Sequence, residues 1–124
     1  MPEKRILLID DEINLCTVIH ACLENLGGWE TVTALSAKKG LVIAKTQPFD
    51  AILLDVMMPD MDGITMFREL QKDSVTQEIP VIFFTAKVQS TDLEQFAKLG
   101  VAGVIAKPFD PMTLAEQVAN ILGW

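Results

Sequence analysis

The chain has 124 residues, half of them apolar, and a formal net charge of −7. This length suits one ordinary domain, and the acidic balance argues against direct nucleic-acid binding, which depends on Lys and Arg that neutralise phosphates. No apolar run approaches the roughly 20 residues that span a bilayer, and the N-terminus does not resemble a signal peptide. These features favour a cytoplasmic protein, not bound to membranes, whose partners are other proteins or cations.

Apolar runs of strand length alternate with helical patterns along the whole chain. Several of the runs are nearly continuous, as expected for parallel strands that are buried on both faces. The predicted strands cover residues 5–9, 30–34, 51–54, 81–84 and 102–106. The predicted helices cover about residues 12–26, 37–46, 64–72, 91–99 and 111–122. Predicted N-caps are Ser36, Asp62 and Asp110, and Gly27, Gly28 and Gly100 lie where helix C-caps are expected.

Five consecutive βα units predict an α/β fold. Right-handed crossovers give a doubly wound, five-stranded parallel sheet with helices on both faces. The flavodoxin-like strand order 2-1-3-4-5 is one such solution, although periodicity alone does not fix it. We expect a single domain over residues 1–124 without an output domain, because the last predicted helix ends just before Gly123 and Trp124.

The two cysteines, Cys16 and Cys22, lie in the first predicted helix. Six residues separate them by roughly 9 Å along the helix axis, at about 1.5 Å per residue. This is too far for a disulfide within the helix. We interpret both as packing residues in a reducing compartment.

Polar residues that could take part in catalysis or metal binding follow four of the predicted strands. Asp10 and Asp11 follow the first strand, Asp55 the third, Thr85 the fourth and Lys107 the fifth. Function collects at the carboxyl ends of strands in such sheets, and carboxylates crowded there favour a cation such as Mg²⁺. A lysine and a hydroxyl could contact phosphoryl oxygens, and phosphoryl transfer depends mainly on positioning and charge neutralisation.

This set of residues resembles the receiver domain of two-component response regulators. The resemblance extends to the run LLDVMMPDMDG over residues 53–63 and to the sequence KPF over residues 107–109. It supports the strand order 2-1-3-4-5 and implies a cis Lys107–Pro108 peptide bond. It also implies that Asp55 accepts a phosphoryl group from a sensor histidine kinase or a histidine phosphotransfer protein.

The resemblance assigns roles to the other residues of this edge. Asp11, Asp55 and the backbone carbonyl of Met57 would ligate Mg²⁺ directly, and Asp10 would act on the ion mainly through water. Lys107 would pair with the acceptor carboxylate or its phosphate, and Thr85 would move inward to bind the phosphoryl group. The protein would catalyse only its own phosphorylation and dephosphorylation, and would not be an enzyme with an external substrate.

The family also implies two interaction surfaces. One edge of the first helix, formed by Leu15, Val18 and Cys22, is a candidate docking site for the kinase or phosphotransfer protein. A downstream protein would bind the face formed by the fourth helix, the fifth strand and the fifth helix. The cognate kinase, the output partner and the oligomeric state do not follow from the sequence.

One position departs from the family pattern. Receivers often carry Tyr or Phe three residues before the strand-five lysine, whereas this chain has Val104 there. Two alternatives to a switch stay open, and Val104 supports only the first of them. The first is a receiver-like scaffold that no longer switches. The second is a phosphatase with an aspartyl-phosphate intermediate, although its nucleophile would usually follow the first strand and be followed two residues later by another acid, where this chain has Met57.

Overall fold

The computed structural model describes residues 4–124. The five strands are β1 (Arg5–Ile9), β2 (Glu30–Ala34), β3 (Ala51–Asp55), β4 (Val81–Thr85) and β5 (Gly103–Ala106). The five helices are α1 (Ile13–Asn25), α2 (Ala37–Thr46), α3 (Gly63–Lys72), α4 (Ser90–Leu99) and α5 (Leu114–Leu122). No helix within this range is both long and apolar enough to cross a membrane.

All five strands form one parallel sheet in the order β2-β1-β3-β4-β5. This confirms the doubly wound α/β fold and the strand order. β3 and β4 are buried along their full length, as their continuous apolar sequences predict. In their register, Asp55 pairs with Phe84, and Thr85 at the end of β4 pairs with Ala106 on β5.

The sheet separates two apolar clusters, because successive side chains on a strand point to opposite faces. On β4, Phe83 packs in the first cluster with residues of α2, α3 and α4. Phe84 packs in the second cluster with residues of α1 and α5. Ring contacts strengthen both clusters: the centroids of Phe83 and Phe96 lie 5.0 Å apart in an edge-on pair.

Helix caps account for several of the helix boundaries. Ser36 Oγ accepts a hydrogen bond from the Lys39 amide at 3.2 Å, and Asp62 Oδ1 accepts one from the Thr65 amide at 2.8 Å. Gly100 ends α4 in the left-handed region with φ of 93°. Both of these N-cap predictions and the Gly100 C-cap are confirmed.

The predicted start of the last helix is wrong. Asp110 does not cap α5, which begins at Leu114 with Thr113 as its N-cap residue. The Asp110 side chain instead accepts a hydrogen bond from the Met112 amide at 2.9 Å, which closes a local Asx turn. Residues 111–113 therefore form a turn before the helix, and Pro111 belongs to that turn.

The Asp62 cap has a measurable energetic consequence. We expect Asp62→Ala to lower the free energy of unfolding by about 1 kcal/mol, because the Thr65 amide loses its acceptor at the start of α3. Urea unfolding monitored by circular dichroism measures the change. Asp110→Ala is the matched control with a smaller expected cost, since it opens a turn and uncaps no helix. Equal costs for the two variants would contradict the capping role.

Candidate functional site

The structure brings the predicted acidic residues together at the carboxyl edge of the sheet. Asp10 follows β1, Asp11 is next in the chain and Asp55 ends β3. One carboxylate oxygen of each lies within 4.8 Å of those of the other two. Asp10 is 0% and Asp55 4% exposed, whereas Asp11 is open to solvent. Two buried carboxylates and one exposed carboxylate thus share one small volume.

Lys107 reaches this cluster from the end of β5. Its Nζ atom lies 3.1 Å from Asp10 Oδ2 and 3.4 Å from Asp55 Oδ1. The peptide bond from Lys107 to Pro108 is cis, as the sequence resemblance implied. Although burial disfavours its charged form, the hydrogen bond to Asp10 and the charges of Asp10 and Asp55 raise the pKa of Lys107 above its usual value. The lysine is therefore a permanent cation at neutral pH.

The environment of Asp55 opposes its ionisation. Burial is the main cause of a raised pKa for this carboxyl, and the negative charge of Asp10 acts in the same direction. The Met57 amide donates a hydrogen bond to Asp55 Oδ1 at 3.1 Å and, with Lys107, partly offsets this effect. A cation that neutralised the cluster would favour the charged, nucleophilic form of Asp55.

The acidic cluster fits a hard divalent cation. It offers carboxylate oxygens, which are the ligands that Mg²⁺ prefers, and Asp11 leaves it open to water. Both oxygens of Asp10 already accept hydrogen bonds: Oδ1 from the Glu12 amide at 2.9 Å, and Oδ2 from Lys107. Three carboxylates face one lysine, so the cluster keeps an excess of negative charge that a cation would offset.

Thr85 lies at the end of β4 but does not join the cluster directly. Its Oγ1 atom is buried and accepts a hydrogen bond from the Lys87 amide at 3.0 Å. Among residues 4–124 we find no hydrogen bond between Thr85 and the three carboxylates. Val104, the departure from the family pattern, is half-buried on β5 and packs against the first apolar cluster.

An open apolar groove of about 490 Å³ lies beside Lys107. Its walls come from α1, from the segment after β4 and from the segment after β5; they are Leu15, Val18, Ala86, Lys107, Pro108, Phe109 and Pro111. Val18 is 43% exposed and Leu15 is half-buried, so both are accessible as predicted. Cys22 is not: it is 8% exposed and packs in the second cluster, so its assignment to the docking edge is wrong.

Two contacts at this edge escaped the sequence analysis. Asp60, in the loop after β3, accepts hydrogen bonds from the amides of Ala37 at 3.3 Å and Lys38 at 3.1 Å, at the start of α2. Although burial acts to raise it, these two amides lower the pKa of Asp60. Lys107 Nζ also lies 4.9 Å from the ring centroid of Phe84. Both contacts join distant parts of the chain; Asp60 lies in the run over residues 53–63 and Lys107 in the sequence over residues 107–109, but neither motif indicates these partners.

Comparisons with known proteins agree with this geometry. A sequence model described as the response regulator receiver domain matches residues 6–119. The phosphate regulon transcriptional regulatory protein PhoB of Pseudomonas aeruginosa is 34% identical over 98% of this chain and 53% of its own length. Protein PilH of the same organism is 33% identical over 95% of this chain and 97% of its own length. The chain thus spans about half the length of PhoB and nearly all of PilH.

Solved structures show the same architecture. The chemotaxis response regulator CheY4 of Vibrio cholerae superimposes with a TM-score of 0.90 at 26% identity, over 97% of this chain and 99% of its own. The receiver domain of the sensor histidine kinase PA1611 from Pseudomonas aeruginosa, solved with magnesium coordinated in its active-site cleft, gives a TM-score of 0.85 at 29% identity. That match covers 99% of this chain and all of the kinase receiver domain.

Proposed function

Because the chain belongs to the response regulator receiver family, we propose that Asp55 is the phosphoacceptor of a two-component signalling switch. The donor would be a phosphohistidine on a sensor histidine kinase or a histidine phosphotransfer protein. The observation that carries this proposal is the position of Lys107, whose ammonium lies between the buried carboxylates of Asp10 and Asp55. A lysine held there would neutralise a phosphoryl oxygen on Asp55.

The proposed cofactor is Mg²⁺, held directly by Asp11, Asp55 and the Met57 backbone carbonyl. Asp10 would act through water, which agrees with the hydrogen bonds that already engage both of its oxygens. When bound, the ion would offset the negative charge that the phosphoryl group adds to the cluster. The residues of the chain would do the rest: an Asp55 carboxylate oxygen would bond to phosphorus as the P–N bond to the donor histidine breaks, and the imidazole would leave with that electron pair. Lys107 would neutralise charge on the phosphoryl oxygens, and the backbone around Met57 would orient the acceptor.

Thr85 is the proposed sensor of the modified state. Its hydroxyl now accepts a hydrogen bond from the Lys87 amide, and it would turn to donate to a phosphoryl oxygen on Asp55. This rotation of the Thr85 side chain would disturb the segment after β4, which leads into α4. The face formed by α4, β5 and α5 would carry the change to a downstream protein.

The donor protein is proposed to dock on the groove beside Lys107. Leu15 and Val18 supply apolar surface on α1, and Phe109 supplies it from the segment after β5. The groove is next to the acceptor, so an amphipathic helix that presents a phosphohistidine could bury its apolar face there. This surface requires no contribution from Cys22, which is buried.

Phosphorylation by a small-molecule donor tests the proposal most directly. We expect the protein, incubated with Mg²⁺ and acetyl phosphate, to gain the mass of one phosphoryl group by intact-protein mass spectrometry. Asp55→Asn, which keeps the shape of the side chain, should gain none. An unmodified wild-type protein, or equal modification of the Asp55→Asn variant, would overturn Asp55 as the acceptor.

Metal binding gives an independent prediction. Mg²⁺ that binds only the folded chain should raise the free energy of unfolding by about 2.7 kcal/mol at 100 times its dissociation constant. Differential scanning fluorimetry with and without EDTA measures the corresponding rise in Tm. Asp11→Asn should remove most of the rise because the cluster loses its exposed carboxylate. Asp110→Asn, an exposed aspartate outside the cluster, is the control and should respond as wild type does.

A non-switching scaffold is the second candidate function, and Val104 favours it. Its aliphatic side chain is half-buried and packs against the first apolar cluster. Because the residue is valine, this position has no aromatic ring that could report phosphorylation to the α4–β5–α5 face. If the protein is a scaffold, wild type and Asp55→Asn should bind the partner with the same affinity, whether or not acetyl phosphate is present. A change in affinity on phosphorylation would support the switch instead.

A further inference from the structure

The Phe84 ring lies directly beneath the ammonium of Lys107. Phe84 is fully buried on β4, where it pairs with Asp55 on the neighbouring strand, and the two side chains lie on the same face of the sheet. Lys107 Nζ lies 4.9 Å from the Phe84 ring centroid. The other side of this ammonium faces Asp10 and Asp55. The lysine is thus enclosed between an aromatic ring and two carboxylates.

A second ring supports the first. The centroids of Phe84 and Phe109 lie 5.3 Å apart with an interplanar angle of 58°. Phe109 is two residues after Lys107 and follows the cis Lys107–Pro108 bond, so the lysine and the supporting ring belong to one short segment. Packing of Phe109 against Phe84 therefore fixes the backbone that carries Lys107 as well as the ring beneath it.

The chemistry of this contact favours a positional role. A lysine side chain has a flexible four-carbon stem, and its ammonium is a point charge without a preferred planar geometry. An aromatic ring attracts a cation through its negative face, and the attraction grows where water is excluded. An aliphatic residue at position 84 would also shield this side of Lys107 from water but would not attract its ammonium. The ring therefore limits the positions that the ammonium can occupy.

We propose that Phe84 is a positioning residue for phosphoryl transfer: its ring holds the Lys107 ammonium within ion-pair distance of the Asp55 carboxylate. This inference rests on the proposed function of Asp55. It assigns to one of the largest buried side chains of the second cluster a task beyond packing. Phe84 acts only through Lys107, and this distinguishes it from a residue whose loss merely loosens the core.

Two neighbouring phenylalanines provide a matched pair of variants. Phe83 and Phe84 are both fully buried on β4, but Phe83 faces the opposite apolar cluster, against Phe67 and Phe96. Phe84→Leu and Phe83→Leu therefore remove the same atoms from the two sides of the sheet. We expect the rate constant for phosphorylation by acetyl phosphate to fall about three- to tenfold in Phe84→Leu, the range for loss of a partly desolvated cation–π contact. In Phe83→Leu it should stay near the wild-type value, although both variants lose stability.

A cycle with Lys107→Met tests whether Phe84 acts through the lysine. In the Lys107→Met background, Phe84→Leu should have no further effect on the rate constant. The same fold-reduction in both backgrounds, or equal reductions for Phe83→Leu and Phe84→Leu, would overturn the proposal. Circular dichroism confirms that each variant is folded under the assay conditions.

An NMR measurement keeps the inference separate from the proposed function. The ring of Phe84 should shift the Lys107 side-chain methylene signals upfield, and Phe84→Leu should abolish the shift while Phe83→Leu preserves it. If wild type takes up no phosphoryl group, the proposed function fails, and these signals alone decide whether the Phe84 ring contacts the Lys107 side chain. Unchanged Lys107 signals in Phe84→Leu would reject the positioning role in either case.

Discussion

Asp55→Asn should stabilise the metal-free protein at neutral pH while it removes the phosphoryl acceptor. The folded-state pKa of Asp55 lies above its ordinary value of 3.8, because the carboxyl is buried and lies near Asp10. The stability that such a group contributes is present below pH 3.8 and is lost as the pH rises through the folded-state pKa. Well above pH 3.8 the Asp55 carboxyl therefore costs folding free energy, and asparagine, which does not ionise, avoids that cost.

We expect the gain in the free energy of unfolding to be on the order of 1 kcal/mol, the scale of one pKa unit, because Lys107 keeps Asp10 as its partner when Asp55 is replaced. Urea unfolding at neutral pH in the presence of EDTA measures it. Asn at this position can still accept the hydrogen bond from the Met57 amide, so the local backbone keeps its partner. Added Mg²⁺ should narrow the difference, because it stabilises wild type more than the variant. A variant less stable than wild type in EDTA would show that ionised Asp55 contributes favourably to folding.

Much of the site was predictable because its residues end buried strands. A parallel strand enclosed on both faces is an apolar run, and the first polar residue after it marks the carboxyl edge of the sheet. Asp10 and Lys107 directly follow their strands, and Asp55 and Thr85 are the last residues of theirs. Because the sheet order brings those edges together, residues far apart in the chain meet at distances short enough for ion pairs.

The features that sequence missed depend on tertiary context. Leu15, Val18 and Cys22 were predicted to share one docking edge of α1, but only packing against the sheet and α5 shows that Cys22 is covered while Val18 stays exposed. Likewise, Asp110 before Pro111 has the sequence of a helix N-terminus, yet its side chain closes a turn with the Met112 amide. The Phe84–Lys107 contact is a further case, since an apolar residue in a buried strand gives no sign of the cation above it.

Lys107→Met should produce the largest loss of stability at this site. Removal of the ammonium leaves Asp10 and Asp55 buried without their cation, and unpairing a buried charge costs about 3–5 kcal/mol. Methionine keeps much of the length and apolar character of the lysine stem, so the loss reports charge more than packing. Urea unfolding in EDTA measures it. Lys87→Met, at an exposed lysine near the same edge, is the control with little expected effect.

A double-mutant cycle separates the two carboxylates that share Lys107. If the cost of Lys107→Met comes from stranded negative charge, it should be smaller in the Asp55→Asn background, where a single buried carboxylate remains. The part that persists belongs to Asp10, which is the closer partner at 3.1 Å. Mg²⁺ should recover part of the stability of Lys107→Met for the same reason, since a cation near Asp10 and Asp55 replaces the missing positive charge. If Lys107→Met lowers the free energy of unfolding equally in both backgrounds, the effect comes from the Lys107–Asp10 pair and from the packing of Lys107 on Phe84.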